Sequence, residues 1–193
     1  CMDFTKEMRE SFATYAVQKV DEQDNYAWRG VLVKYLTTEH AGDVSHLPMS
    51  VADFSPEAVT TLWLLGVAAM GIVALMAVGH PSQDPAVRLL ELSLVLTGVV
   101  LAAPHTQRRY FVSLYVPVAV LLAVLAHRPD AVSKRAILVG LGATAATGTI
   151  LPLVFGGRRL ALIYEAASPY FFGTLVLFAA LAFVIIRLKA NER

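Results

Sequence analysis

The chain has 193 residues, of which 56% are hydrophobic and 16% charged, with a mean hydropathy of +0.59 and a formal charge of +1. Soluble domains carry roughly 45–50% apolar and about 25% charged residues, so an ordinary water-soluble fold is excluded, and intrinsic disorder with it. The near-neutral charge gives no electrostatic basis for nucleic-acid binding, and a lone cysteine, Cys1, excludes an intrachain disulfide and a cysteine-rich zinc site.

In chain order, the first feature is Cys1 itself, which stands where an initiating methionine would. It reads either as the start of a piece cut from a longer protein or as the lipid-modified cysteine of a processed lipoprotein; with no cleavage signal in view, the first is expected. Residues 1–55 form a polar, acid-rich segment, and two helical patterns run through it. Phe4, Met8, Phe12, Tyr15 and Ala16 share one helix face, and Trp28, Val31, Leu32, Tyr35 and Leu36 repeat the spacing more cleanly. Such helices either pack on the protein's own membrane domain or lie along the interface and wall a cleft there, where Trp and Tyr suit surroundings that are half apolar and half wet. His40, Asp43 and His46 are metal-ligand types, but no fourth ligand accompanies them, and solvated loop residues are the plainer reading.

From residue 56 to 193 the chain reads as membrane. A helix needs roughly 20 apolar residues to cross about 30 Å of hydrocarbon, and five stretches meet or approach that length, at about 58–80, 86–104, 110–126, 135–155 and 169–187. Ser55-Pro56, Asp84-Pro85 and Ser168-Pro169 each offer a capping side chain followed by proline at the first helical position, where the missing N–H costs nothing. The expected fold is therefore all-α: a polytopic α-helical membrane protein of about five transmembrane helices, preceded by a helical outer segment.

Lys and Arg in short loops favour the cytoplasm. Arg88, Arg128, Lys134, Arg135, Arg187, Lys189 and Arg193 lie on one side, against Arg108, Arg109, Arg158 and Arg159 on the other. Seven against four places the N-terminal segment outside. Within the spans Glu91 is the one acidic residue, and Arg88, three residues earlier, is placed to pair with it on one helix face. The scarcity of charge at mid-depth argues against an ion-coupled transporter. The small-residue run Gly140, Gly142, Ala143, Ala145, Ala146 and Gly148 permits close helix packing.

The outer side carries the residues suited to chemistry. Pro104-His105-Thr106-Gln107-Arg108-Arg109-Tyr110 joins the second and third spans, and Arg158-Arg159 lies between the fourth and fifth. An arginine fork grips phosphate oxygens through two parallel charge-assisted bonds, so the two diarginine pairs suit a lipid phosphate; the competing reading is that they snorkel to bulk headgroups. His105 could orient a phosphate or a hydroxyl, or serve no chemical purpose.

Two stretches carry a resemblance. Asp24-Asn25-Tyr26-Ala27-Trp28-Arg29-Gly30-Val31-Leu32-Val33-Lys34-Tyr35-Leu36 resembles the Asn-Gln-Ser-Leu…Leu-x-Arg-x-Leu segment of the family 87 membrane glycosyltransferases, which include polyprenyl-phosphate-mannose-dependent mannosyltransferases. Ala103-Pro104-His105-Thr106-Gln107-Arg108-Arg109-Tyr110-Phe111, with Pro117 downstream, resembles that family's Ser-Pro-x-Ser-Trp-x-His-His/Tyr signature. Asn25, Pro104 and Tyr110 match by position, with Lys34 and Thr106 as similar replacements; Tyr26, Ala27, Ala103, Gln107 and Arg109 depart from the pattern.

The resemblance implies the C-terminal portion of a bacterial inner-membrane enzyme that transfers mannose or another hexose from a polyprenyl-phosphate sugar donor to a lipid or cell-envelope glycan acceptor. The base activating the acceptor is expected upstream of Cys1, so no catalytic residue is assigned. Substrate contacts are expected from Asn25, Lys34, His105, Arg108, Arg109, Tyr110, Arg158 and Arg159. No cofactor is expected, while a divalent metal stays open, since the superfamily divides on it. The reading from a different class is a non-catalytic polytopic subunit of an export or scaffold assembly.

Overall fold

The computed structural model describes residues 27–37, 50–79, 82–104, 108–127, 131–150 and 168–191. All regular structure among them is helical: α1 (Trp28–Leu36), α2 (Pro56–Val78), α3 (Pro85–Ala102), a 3-10 segment (Arg108–Leu114), α4 (Tyr115–His127), α5 (Ala131–Ala145) continued by a π-helical turn (Ala146–Ile150), and α6 (Pro169–Asn191). Among the described residues three helices, α2, α3 and α6, are long and apolar enough to cross a membrane. The third and fourth expected spans are represented by shorter pieces, 13 residues in α4 and 15 in α5.

Local chemistry explains the boundaries. The Ser55 hydroxyl accepts from Ala58 N at 3.3 Å and the Asp84 carboxylate from Ala86 N at 2.8 Å, so both expected caps open their helices just ahead of a proline. The third span starts differently from the expectation, as a 3-10 segment that becomes α-helix only at Tyr115. Pro117 then falls in the first turn of α4, where its missing N–H breaks no helical bond. Near the far end of α5, the hydroxyls of Thr144 and Thr147 bond back to Gly140 O and Ala143 O, each at 2.8 Å, and the helix loosens into its π turn.

The helices pack around α6. Of its most apolar stretch 61% is buried, against 6% for α2, so α6 is the central strut and α2 a peripheral helix with most of its Leu, Ile and Met side chains facing outward. The most extensive packing is between α5 and α6. A Cβ added at Gly140 would lie 2.8 Å from Ala180 Cβ, and one at Gly173 would overlap Thr147 Oγ1, so these two glycines set the approach of the backbones. Gly142 and Gly148 of the same small-residue run meet nothing within 4 Å. On α3 the buried face is Val87, Leu90, Ser93, Leu94, Thr97, Val100 and Leu101; the Ser93 and Thr97 hydroxyls donate to Leu89 O and Ser93 O at 2.7 Å, so no hydroxyl on that face is left without a partner.

Away from α1, one cation holds three helices together. Lys189 Nζ on α6 donates to Ala77 O at 2.9 Å and Val78 O at 3.0 Å, covering carbonyls at the end of α2, and lies 2.5 Å from Glu91 Oε1 on α3. The contact with Glu91 is a close ion pair without hydrogen-bond alignment, and both side chains are about six-sevenths buried, at 14% and 15% exposed. This corrects the expected Arg88–Glu91 pair. Arg88 instead turns to Ser82 O at 2.9 Å and Gln83 Oε1 at 3.3 Å, because the turn just before α3 offers acceptors while Glu91 faces the bundle.

Candidate functional site

The two stretches that carry the resemblance meet at the start of α6. From α1, Lys34 Nζ donates to Ser168 Oγ at 3.2 Å, a contact between residues 134 apart in the chain. The Trp28 ring stacks on Phe171, with centroids 5.2 Å apart and planes 21° from parallel. From the 3-10 segment, the Phe111 ring lies 5.6 Å from Tyr170. Residues 168–171 thus receive both segments on one short run of backbone.

Ser168 shows how tightly that run is built. It is fully buried, its φ is +49°, and its carbonyl accepts from Phe171 N at 3.0 Å. The left-handed backbone is uncommon for a residue with a Cβ and marks a locally constrained turn. The sequence suggests Ser168 as a helix cap; its hydroxyl instead receives the Lys34 ammonium.

α1 is held against the bundle from both ends. Trp28 Nε1 donates to Leu62 O at 3.4 Å, and its ring occupies the space left by Gly66 on α2. At the other end, Val51 N donates to Tyr35 O at 2.9 Å and Phe54 N to Leu36 O at 2.7 Å, so the connection to α2 doubles back and satisfies the terminal carbonyls of α1. The Tyr35 phenol is pushed above its ordinary value near 10 by burial, which disfavours the phenolate. Of the two readings of this helical pattern, packing on the protein's own membrane domain is what α1 does.

Arg29 and Trp63 form a second contact between α1 and α2, with the guanidinium carbon 5.9 Å from the indole centroid. Arg29 Nε and Trp63 Nε1 are both buried without a hydrogen-bond partner. The sequence gives Arg29 no site role, although a tryptophan near the start of a span is a signal that this level is interfacial.

Of the expected substrate contacts, Lys34 is the one whose side chain is described, and the structure brings it to the α6 start. Arg108, Arg109 and Tyr110 open the 3-10 segment at that same end, described there by backbone. Asn25, His105, Arg158 and Arg159 lie outside the described residues, as do the first helical pattern and His40, Asp43 and His46. A separate apolar cleft of about 310 Å³ lies between α3 and α4, lined by Ala86, Leu89, Ala119, Val120, Ala123, Val124 and His127. Its lining comes from the start of α3 and the end of α4, which is the opposite end of the bundle from Ser168. No known family matches this chain, and neither does any curated protein or solved structure.

Proposed function

We propose that this chain forms substrate-binding walls of a polytopic membrane glycosyltransferase, which takes a hexose, mannose or a close relative, from a polyprenyl-phosphate donor and passes it to a lipid or cell-envelope glycan acceptor. In this reading the chain crosses a bacterial inner membrane about five times, with the α1 end outside. The reaction breaks the bond between the anomeric carbon and the lipid-phosphate oxygen and forms a bond from that carbon to an acceptor hydroxyl oxygen. The lipid phosphate leaves with the electron pair. Fixed cations beside the departing phosphate stabilise its growing charge, the role this reading gives Arg108 and Arg109, with Lys34 nearby. The base that takes the acceptor proton is not assigned to any residue of this chain.

What supports the reading is the convergence at the start of α6. The two family-like stretches are far apart in sequence, yet both pack on residues 168–171, one through Lys34 and Trp28, the other through Phe111. The test is transfer of labelled hexose from a polyprenyl-phosphate donor by the full-length protein in membrane vesicles. Arg108→Ala/Arg109→Ala is expected to lower transfer at least about tenfold, the scale of losing one charge-assisted phosphate contact, with membrane insertion intact. Unchanged transfer would remove the assignment, as would cysteine labelling that finds position 108 on the cytoplasmic side.

A further inference from the structure

Arg29 on α1 sets its guanidinium over the face of Trp63 on α2. Its Nε and the indole Nε1 of Trp63 are each shut off from solvent with no acceptor. Two buried N–H donors therefore stand unanswered, one of them on a half-buried guanidinium. Buried donors in native proteins almost always have a partner, so this pair calls for an acceptor that none of the described residues supplies.

The level of the pair in the membrane says what kind of acceptor. The first two turns of α2 carry Glu57, Thr60 and Thr61, and an unbroken apolar run begins at Leu62. Trp63 thus stands at the boundary between headgroups and hydrocarbon, the level at which tryptophan is enriched. Leu64 and Leu65, next along α2, are exposed apolar side chains of the kind that face lipid. An acceptor reaching Arg29 at this level comes from the headgroup layer, and a phosphate group matches both the charge and the need for several acceptor oxygens.

The geometry points to Arg29 and Trp63 as a binding site for the phosphate group of a membrane lipid. The site does not depend on the sugar-transfer reading, because binding is measured without turnover. The full chain, purified in neutral detergent, is titrated with phosphatidylglycerol or farnesyl phosphate, each against its phosphate-free counterpart, diacylglycerol or farnesol, and bound lipid is read by native mass spectrometry. A phosphate-bearing lipid is expected to bind about tenfold or more above its counterpart, the size of one charge-assisted bond. Arg29→Gln is expected to lower the number of phosphate-bearing lipids bound per chain by one in the mass spectrum, leaving any held at Arg108 and Arg109, while helicity by circular dichroism is unchanged. Arg29→Lys, which keeps the charge and loses the fork, serves if the glutamine variant does not fold, and is expected to bind several-fold more weakly than wild type. Preference for phosphatidylglycerol identifies a bulk phospholipid headgroup, and preference for farnesyl phosphate identifies an isoprenoid lipid; both support the site. Equal binding of lipids with and without phosphate, or wild-type binding by the variants, overturns it.

Discussion

Gly66→Ala isolates the contact that seats α1 on the bundle. A methyl group at this position would overlap Trp28 Nε1 and lie 2.7 Å from Cε2, against the nitrogen edge of the indole, with Leu62 O and Phe171 holding the ring from other sides. The ring must leave its seat or the helices must part. Losing the Phe171 stack costs about 0.5–1.5 kcal/mol, the long bond to Leu62 O at most about 1 kcal/mol, and residual overpacking about 1–3 kcal/mol. Against this, alanine gains about 1 kcal/mol over glycine in a helix interior, so the steric terms win and the net loss is about 0.5–4.5 kcal/mol.

Gly71→Ala, on the same helix with nothing within 4 Å, is the matched control: it keeps the propensity gain and has no clash. Equilibrium unfolding in mixed micelles, followed by helicity and tryptophan emission, is expected to show Gly66→Ala less stable than Gly71→Ala. In the Gly66→Ala/Trp28→Leu double variant the added methyl is expected to cost little beyond Trp28→Leu alone, because the smaller side chain vacates the space. If Gly66→Ala is as stable as Gly71→Ala, Trp28 does not occupy that groove and the α1 seat described above is wrong.

Lys189→Met removes the cation from Glu91 and from the Ala77 and Val78 carbonyls, and is expected to cost about 3–5 kcal/mol in the same unfolding measurement, with partial recovery when Glu91→Gln is added; a change under about 0.5 kcal/mol would contradict the buried pair. Gly173→Ala is expected to destabilise the α5–α6 crossing, and Thr147→Ala to restore part of the loss, since the clash is with the threonine hydroxyl; additive losses in a double-mutant cycle would argue against direct contact. Because burial raises the Tyr35 pKa, its neutral phenol stabilises the fold below about pH 10, and that contribution is lost as pH rises beyond it. Phenolate absorbance is expected to show a late-titrating tyrosine that disappears in Tyr35→Phe.

Much of the helical skeleton is legible in the sequence because its causes are local. Ser55-Pro56 and Asp84-Pro85 carry their own capping and proline chemistry, and α2, α3 and α6 are apolar over the length a membrane demands. The Trp28–Leu36 periodicity likewise predicts α1, since one apolar face is enough to specify a helix. Partner choice is not local in this sense. At three-residue spacing Arg88 is the natural mate for Glu91, yet the carboxylate goes to Lys189, because tertiary packing brings the end of α6 against α3 and leaves Arg88 to its own loop.

The same division applies to the candidate site. Lys34 and the Arg108 segment can be singled out by residue type alone, whereas their common meeting point at Ser168 to Phe171 depends on how α6 threads the bundle. The run of small residues on α5 shows that a close approach is possible, and only the helix crossing selects Gly140 rather than Gly142 as the point of contact. Composition and short-range pattern thus determine an all-helical chain with about five candidate spans, of which three are, among the described residues, helices long and apolar enough to span a bilayer. Which side chains neutralise, stack on or exclude one another was decided by tertiary packing, because in an apolar medium each polar group takes whichever partner the fold brings within reach.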